Sequence, residues 1–220
     1  MAPVCPPDAP LFLDLDGVLL DVSARYYRLH ADLLAGTGAV PVDRETYWMR
    51  LRERRPLVEL VRDGRAPGLD EEAYRRAWLE RIEAPEYLMH DRVVPGTAER
   101  LGALGVRHPL VLTTLRRRRE GLLAQLDALG LRTFFAEVLT AEPLAGAADA
   151  ERKRRLIESS PLLRPGAAVV GDTEADVRAG RALGLVTVAV LSGLRSRAVL
   201  AAEGPSAIID SIASLGEAIA

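Results

Sequence analysis

From Val93 onward, short apolar runs alternate with helical stretches, and this alternation constrains the fold more than any other feature of the chain. Pro95-Gly96 opens a helix through Leu104, residues 109–113 read as a strand, and 116–129 as a helix closed by Gly130. Further strands are predicted at 137–140, 167–171, 186–191 and 207–209, with helices over 150–159 and 175–183 between them. Strands linked by helices of this length run parallel, because each crossover returns the chain to the same end of the sheet, and helices then cover both faces. Leu11-Phe12-Leu13 joins that sheet as a strand too apolar for a half-exposed edge. The expected fold class is therefore α/β, a Rossmann-like parallel sheet. Such sheets bind ligands beyond the carboxyl ends of their strands, where strand order reverses.

Residues 21–90 have a different character. Val22, Tyr26, Leu29 and Leu33 recur at helical spacing, Asp43 and Asp70 stand as N-caps before further helices, and Leu57, Leu60 and Val61 suggest another turn of helix ended by Gly64. All five Tyr and both Trp lie between Tyr26 and Tyr87. The organisation expected is a disordered Pro-rich tail over 1–10, a core made of 11–20 and 91–220, and an inserted helical cap over 21–90.

The first strand ends in two carboxylates one residue apart, Asp14 and Asp16, followed by Gly17. They share a side-chain parity, and at about 4 Å and an effective dielectric of about 20 such a pair repels by roughly 4 kcal/mol. A cation or a shared proton has to stand beside them. A calcium loop of the EF-hand kind does not fit, since it needs a ligand at its fifth position and Gly at its sixth, where this stretch has Val18 fifth and its glycine fourth. Thr113 and Thr114 close an apolar strand and serve either as helix caps or as hydroxyl donors to an anion. Gly171-Asp172 closes another, with Asp176 four residues on. Lys153 is the one lysine in a chain with 29 Lys plus Arg, which suggests a place where a compact point charge is wanted. Carboxylates and hydroxyls without His or Cys suit a hard ion such as Mg²⁺.

Asp14-Leu15-Asp16-Gly17-Val18, then Thr113, then Lys153, then Gly171-Asp172 with Asp176, resemble in that order the motifs of the haloacid dehalogenase superfamily, subfamily I, of the phosphoglycolate-phosphatase-like kind. The resemblance implies a Mg²⁺-dependent phosphatase acting on a small phosphorylated metabolite, with a helical cap that closes to exclude water. Asp14 would take the phosphoryl group as an aspartyl phosphate, and Asp16 would protonate the leaving oxygen and then activate water. The metal would be held by Asp14, Asp16 through its backbone carbonyl, and Asp172, with Asp176 in support. Thr113, Thr114 and Lys153 would hold phosphoryl oxygens, although Thr114 stands where the family commonly has Asn or Ser. Ser23, Arg25 and Tyr26, at the opening of the cap, are candidate substrate contacts.

Single residues separate branches of that superfamily. Dehalogenases lack the second Asp, which Asp16 supplies here; phosphonatases use a cap lysine, and residues 20–92 contain none. The remaining alternatives are a phosphomutase of the beta-phosphoglucomutase type, or a catalytically idle binding protein of the same fold. A formal net charge of -2 gives no nucleic-acid footprint, and no apolar run is long enough to span a membrane. One cysteine, Cys5, and no leader-like start suggest the cytoplasm. The arginines at 50, 52, 54 and 55 and at 116–119 are expected to be solvated, and His30, His90 and His108 show no ligand spacing.

Overall fold

The computed structural model describes residues 5–65, 68–140 and 147–219, and the chain divides into two compact units, Met1–Asp21 with Val93–Ala220, and Val22–Arg92. In the first unit, β1 (Leu11–Leu13) and β2 (Leu20–Asp21) precede the insertion. The second unit holds α1 (Ser23–Leu34), α2 (Arg44–Arg52), α3 (Glu71–Arg81) and α4 (Pro85–Leu88). After β3 (Arg92–Val93), α5 (Thr97–Gly105) leads to β4 (Leu110–Thr114), and α6 (Arg119–Ala128) leads to β5 (Glu137–Thr140). The chain closes with α7 (Asp149–Glu158), β6 (Ala168–Gly171), α8 (Glu174–Ala182), β7 (Val186–Val190), α9 (Arg197–Ala202), β8 (Ala207–Ile209) and α10 (Leu215–Ala218).

The main sheet has the order β5-β4-β1-β6-β7-β8, and every pairing in it is parallel, as the alternating pattern predicts. β1 is the switch point: β4 and β5 build outward on one side of it, β6 to β8 on the other. Leu13 pairs with Leu112 and with Val170, so Asp14, Thr113 and Gly171 stand one step further along three adjacent strands. Phe12, Val111 and Val169 face the same way and pack with Ile157 of α7 and Ala179 of α8. Lys153 lies one turn before Ile157 on the same buried face of α7, and that turn brings it to the carboxyl end of the sheet.

In the second unit, Asp43 caps α2 by accepting from the Thr46 amide, and Asp70 caps α3 by accepting from the Glu72 and Ala73 amides. Leu29 of α1 packs against Ala84 and Tyr87, with Trp78 and Ile82 alongside. Residues 57–64 depart from the expected α-helix. They form two short 3-10 turns separated by extended backbone at Val61, and Asp63 inside the second takes a φ of 56°, which a continuous helix does not accommodate. Pro85 starts α4 at a position where its missing N–H is not needed.

The expected disordered tail also needs correction. Met1–Val4 lie outside the described residues, but from Cys5 onward the segment is fixed: the Cys5 amide donates to the Ile219 carbonyl at 3.0 Å, its thiol donates to the Gly166 carbonyl at 3.2 Å, and the Asp8 amide donates to Arg107. Pro-rich composition lowered the expectation of order, and long-range backbone partners reverse it. Among the described residues no helix is long and apolar enough to cross a membrane.

Candidate active site

Asp14 leaves β1 with its backbone amide donating to the Val170 carbonyl at 2.9 Å, which aims its carboxylate off the carboxyl end of the sheet. Lys153, with its side chain 1% exposed, meets it there: its Nζ lies 2.9 Å from Asp14 Oδ1, 2.8 Å from Asp176 Oδ1 and 2.9 Å from the Thr113 carbonyl oxygen. The ammonium thus has three acceptors for its three protons. Burial alone would pull its pKa down, but Asp14 and Asp176 outweigh this and hold it above the ordinary lysine range. It is a fixed positive charge.

Asp176 is the third residue of α8. Its Oδ2 accepts from the Thr173 amide at 3.2 Å and from the Thr173 hydroxyl at 2.7 Å, an arrangement that satisfies the helix start while leaving Oδ1 for Lys153. Asp172, fully buried, accepts at Oδ2 from the Leu194 amide at 2.6 Å. Its Oδ1 has no hydrogen-bond partner among the described residues.

The space for Asp172 exists because two neighbours are glycines. A Cβ on Gly17 would stand 2.0 Å from Asp172 Oδ2, and one on Gly193 would stand 1.9 Å from it. Gly17 also takes a φ of 82°, a left-handed turn that a β-carbon disfavours. The loop just after β7 is tied to this turn by the Ser192 hydroxyl, which donates to the Gly17 carbonyl at 2.7 Å. Ser192, Gly193 and Leu194 were not anticipated as part of the site; the Ser-Gly pair after an apolar strand was the available signal.

One carboxylate oxygen from each of Asp14, Asp172 and Asp176 can be chosen so that all lie within 4.8 Å of one another. With all three carboxyls ionised, Lys153 would leave two negative charges uncompensated in this cluster. Burial, followed by the neighbouring carboxylate Asp176, pushes the Asp14 carboxyl up to about 7 against the pull of Lys153. Asp172 is driven well above the ordinary carboxyl range by burial and by Asp14 and Asp176. An all-oxygen set, a buried oxygen without a partner and an uncompensated negative charge fit a hard divalent ion. When bound, such an ion would neutralise the excess and polarise a phosphoryl oxygen.

Asp16, one residue beyond Leu15, turns elsewhere. Its carboxylate accepts from Arg116 Nε at 3.1 Å and from Arg116 Nη2 at 2.5 Å. Arg116 is buried, unlike the exposed Arg117, Arg118 and Arg119 beside it, and so departs from the expectation of a solvated run. The expected helix start at Arg116 moves to Arg119 because residues 115–118 form the bend that turns Arg116 inward. Thr113 and Thr114 are both buried; the Thr113 hydroxyl donates to the Leu13 carbonyl at 3.3 Å, and the Thr114 hydroxyl accepts from the Arg116 amide at 3.3 Å.

The three candidate substrate contacts at the start of α1 are engaged within the second unit. The Ser23 hydroxyl accepts from Arg44 Nη2 at 2.8 Å. Arg25, fully buried, places its Nε 3.1 Å from Asp91 Oδ1, and a guanidinium with no exposed surface offers little to a substrate. Tyr26 packs edge-on against Trp48 and Trp78.

The model of the haloacid dehalogenase-like hydrolase family matches residues 11–184. The chain is 28% identical over 214 residues to a phosphoglycolate phosphatase of Synechococcus elongatus, covering 95% of this chain and 96% of that one. It is 35% identical over 159 residues to a phosphoglycolate phosphatase of Rhodospirillum rubrum, covering 70% of this chain and 65% of the other. In fold it resembles a haloacid dehalogenase-like hydrolase of Streptococcus pneumoniae, with a TM-score of 0.75 at 20% identity over 96% of this chain and 97% of that chain.

Proposed function

The chain belongs to the haloacid dehalogenase-like hydrolases, and from that premise we propose that it is a Mg²⁺-dependent phosphatase that hydrolyses a small phosphate monoester through a phosphorylated Asp14. The observation that carries this reading is the buried set of Asp14, Lys153, Asp172 and Asp176 at the switch point of the sheet. A purely structural sheet end has no use for three buried carboxylates facing one ammonium, because each uncompensated charge there is destabilising by several kcal/mol, roughly.

In the proposed reaction an Asp14 carboxylate oxygen attacks phosphorus and the ester P–O bond breaks. The electron pair leaves on the substrate oxygen, which takes a proton from Asp16. Water then attacks the phosphorus and gives a proton to the Asp16 carboxylate while the bond from phosphorus to the Asp14 oxygen breaks, its electron pair returning to Asp14, so phosphate departs and both carboxyls return to their starting states. Lys153 and the Thr113–Thr114 strand end are the groups proposed to supply positive charge and donors to the three phosphoryl oxygens. Asp14, Asp172, Asp176 and the Asp16 backbone carbonyl are the groups proposed to hold Mg²⁺. The two curated relatives are named for phosphoglycolate, which supports a small anionic monoester as the substrate class.

The test is hydrolysis of an aryl phosphate and a panel of small phosphate monoesters, with and without Mg²⁺, beside Asp14→Asn. Mg²⁺-dependent phosphate release that disappears in the variant is expected. Release by Asp14→Asn at the wild-type rate, or none from any ester in the panel by the wild type, would overturn the reading.

A further inference from the structure

We propose that Arg116 is a positioning residue for Asp16, holding the acid–base carboxylate in one orientation, an inference that rests on the phosphatase reading above. The guanidinium meets Asp16 as a two-pronged fork, Nε to Oδ2 at 3.1 Å and Nη2 to Oδ1 at 2.5 Å. Its remaining prong is also committed: Nη1 donates to Gln125 Oε1 at 2.5 Å, on α6. The Arg116 backbone amide is tied to Thr114 at the end of β4. The side chain is 4% exposed and that of Asp16 18% exposed, so the arginine is the anchored partner and the carboxylate keeps an open side.

A carboxylate on the loop just before the Gly17 turn has two free torsions, and an acid–base group displaced by about an ångström loses much of its rate. A fork restrains both torsions at once, which an ammonium, a single point charge, cannot do. Arg116 therefore acts on catalysis through Asp16 and does not itself contact the phosphoryl group. Gln125 acts one step further back, by fixing the guanidinium.

The experiment compares wild type, Arg116→Gln, Arg116→Lys and Gln125→Ala, each alone and combined with Asp16→Asn, using an alkyl and an aryl phosphate with Mg²⁺. Arg116→Gln should lower kcat by about ten- to a hundredfold, a part of the roughly hundred- to ten-thousandfold that a positioned acid–base group supplies, with KM unchanged. The loss should be larger for the alkyl ester, whose leaving oxygen needs the proton more. Arg116→Lys should recover little, and Gln125→Ala should show a smaller kcat loss of the same kind. In the Asp16→Asn background all three changes should have no further effect. A raised KM with unchanged kcat, or losses that persist in full beside Asp16→Asn, would overturn the positioning role while leaving the phosphatase reading intact. Should Arg116→Gln not fold, Arg116→Lys and Gln125→Ala carry the same comparison. A wild type inactive on every ester would overturn the phosphatase reading, and this inference with it.

Discussion

Lys153 Nζ lies 2.9 Å from Asp14 Oδ1 with the lysine side chain 1% exposed, so a buried ion pair joins the first strand of the sheet to the helix before its fourth motif. The same ammonium meets Asp176 at 2.8 Å, and two carboxylates therefore depend on one cation.

Removing that cation should be severe. Lys153→Met leaves Asp14 and Asp176 buried without a partner, and breaking a buried pair from one side typically costs about 3–5 kcal/mol. The expected outcome is a large drop in the urea midpoint at pH 8, a smaller drop at pH 5 where the carboxyls take up protons, and no turnover at either pH. Unchanged stability at pH 8 would show that the ion pair does not form in solution.

Asp14 and the acidic cluster give a metal-dependent stability with a definite sign. The Asp14 carboxyl is pushed up to about 7, first by burial, so the folded protein binds its proton more tightly than the unfolded chain does. Stability from this group is full below the ordinary carboxyl pKa of 3.8 and is lost as pH rises through about 7. In the metal-free protein, wild type should therefore lose stability relative to Asp14→Asn over that window. Mg²⁺ added above pH 7 should restore it, by about 2.7 kcal/mol at a hundredfold excess over Kd. Asp172→Asn should need more Mg²⁺ for the same gain. A thermal midpoint indifferent to Mg²⁺ would remove the cluster as an ion site.

Gly193 gives a purely steric prediction. A β-carbon there falls 1.9 Å from Asp172 Oδ2, so Gly193→Ala has to displace the carboxylate or the loop that carries the Leu194 amide. The expected result is a raised Mg²⁺ requirement with little change in the far-ultraviolet circular dichroism spectrum. Wild-type metal dependence in this variant would show that the loop yields without moving Asp172.

His30 predicts an acid-sensitive second unit. Its Nδ1 lies 2.8 Å from the Tyr74 hydroxyl and its Nε2 3.1 Å from the Leu60 carbonyl oxygen, which fits a neutral ring donating from Nε2. Burial lowers its pKa from 6.5 to about 4. The folded state resists the proton that the unfolded chain accepts, so stability is full above pH 6.5 and falls as pH drops toward 4. The linkage amounts to about 3 kcal/mol. His30→Gln should flatten the unfolding free energy between those values, and an unaltered slope would place the acid sensitivity elsewhere.

Much of this molecule was readable before its structure. The parallel sheet follows from alternating strands and helices, and Asp14, Thr113 and Asp172 were visible because each ends an apolar strand. Asp43 and Asp70 were visible as caps because capping is local. What escaped depends on distant partners. Arg116 looks like its three neighbours until the bend after β4 turns it toward Asp16. The Leu194 amide and Gly193 matter only because the loop after β7 reaches the turn at Gly17. Cys5 sits in a Pro-rich run whose order comes from Gly166 and Ile219, far along the chain. Residues 57–64 carry helical spacing, but extended backbone at Val61 and positive φ at Asp63 break it, a choice that local periodicity does not encode.

The most direct test of the central claim is the mass of the protein quenched in acid during turnover of a phosphate monoester with Mg²⁺. A phosphoryl adduct that maps to the peptide containing Asp14, and is absent from Asp14→Asn, is the predicted result. Turnover with no adduct on that peptide, or an adduct at the same level in Asp14→Asn, would contradict the assignment of Asp14 as the nucleophile.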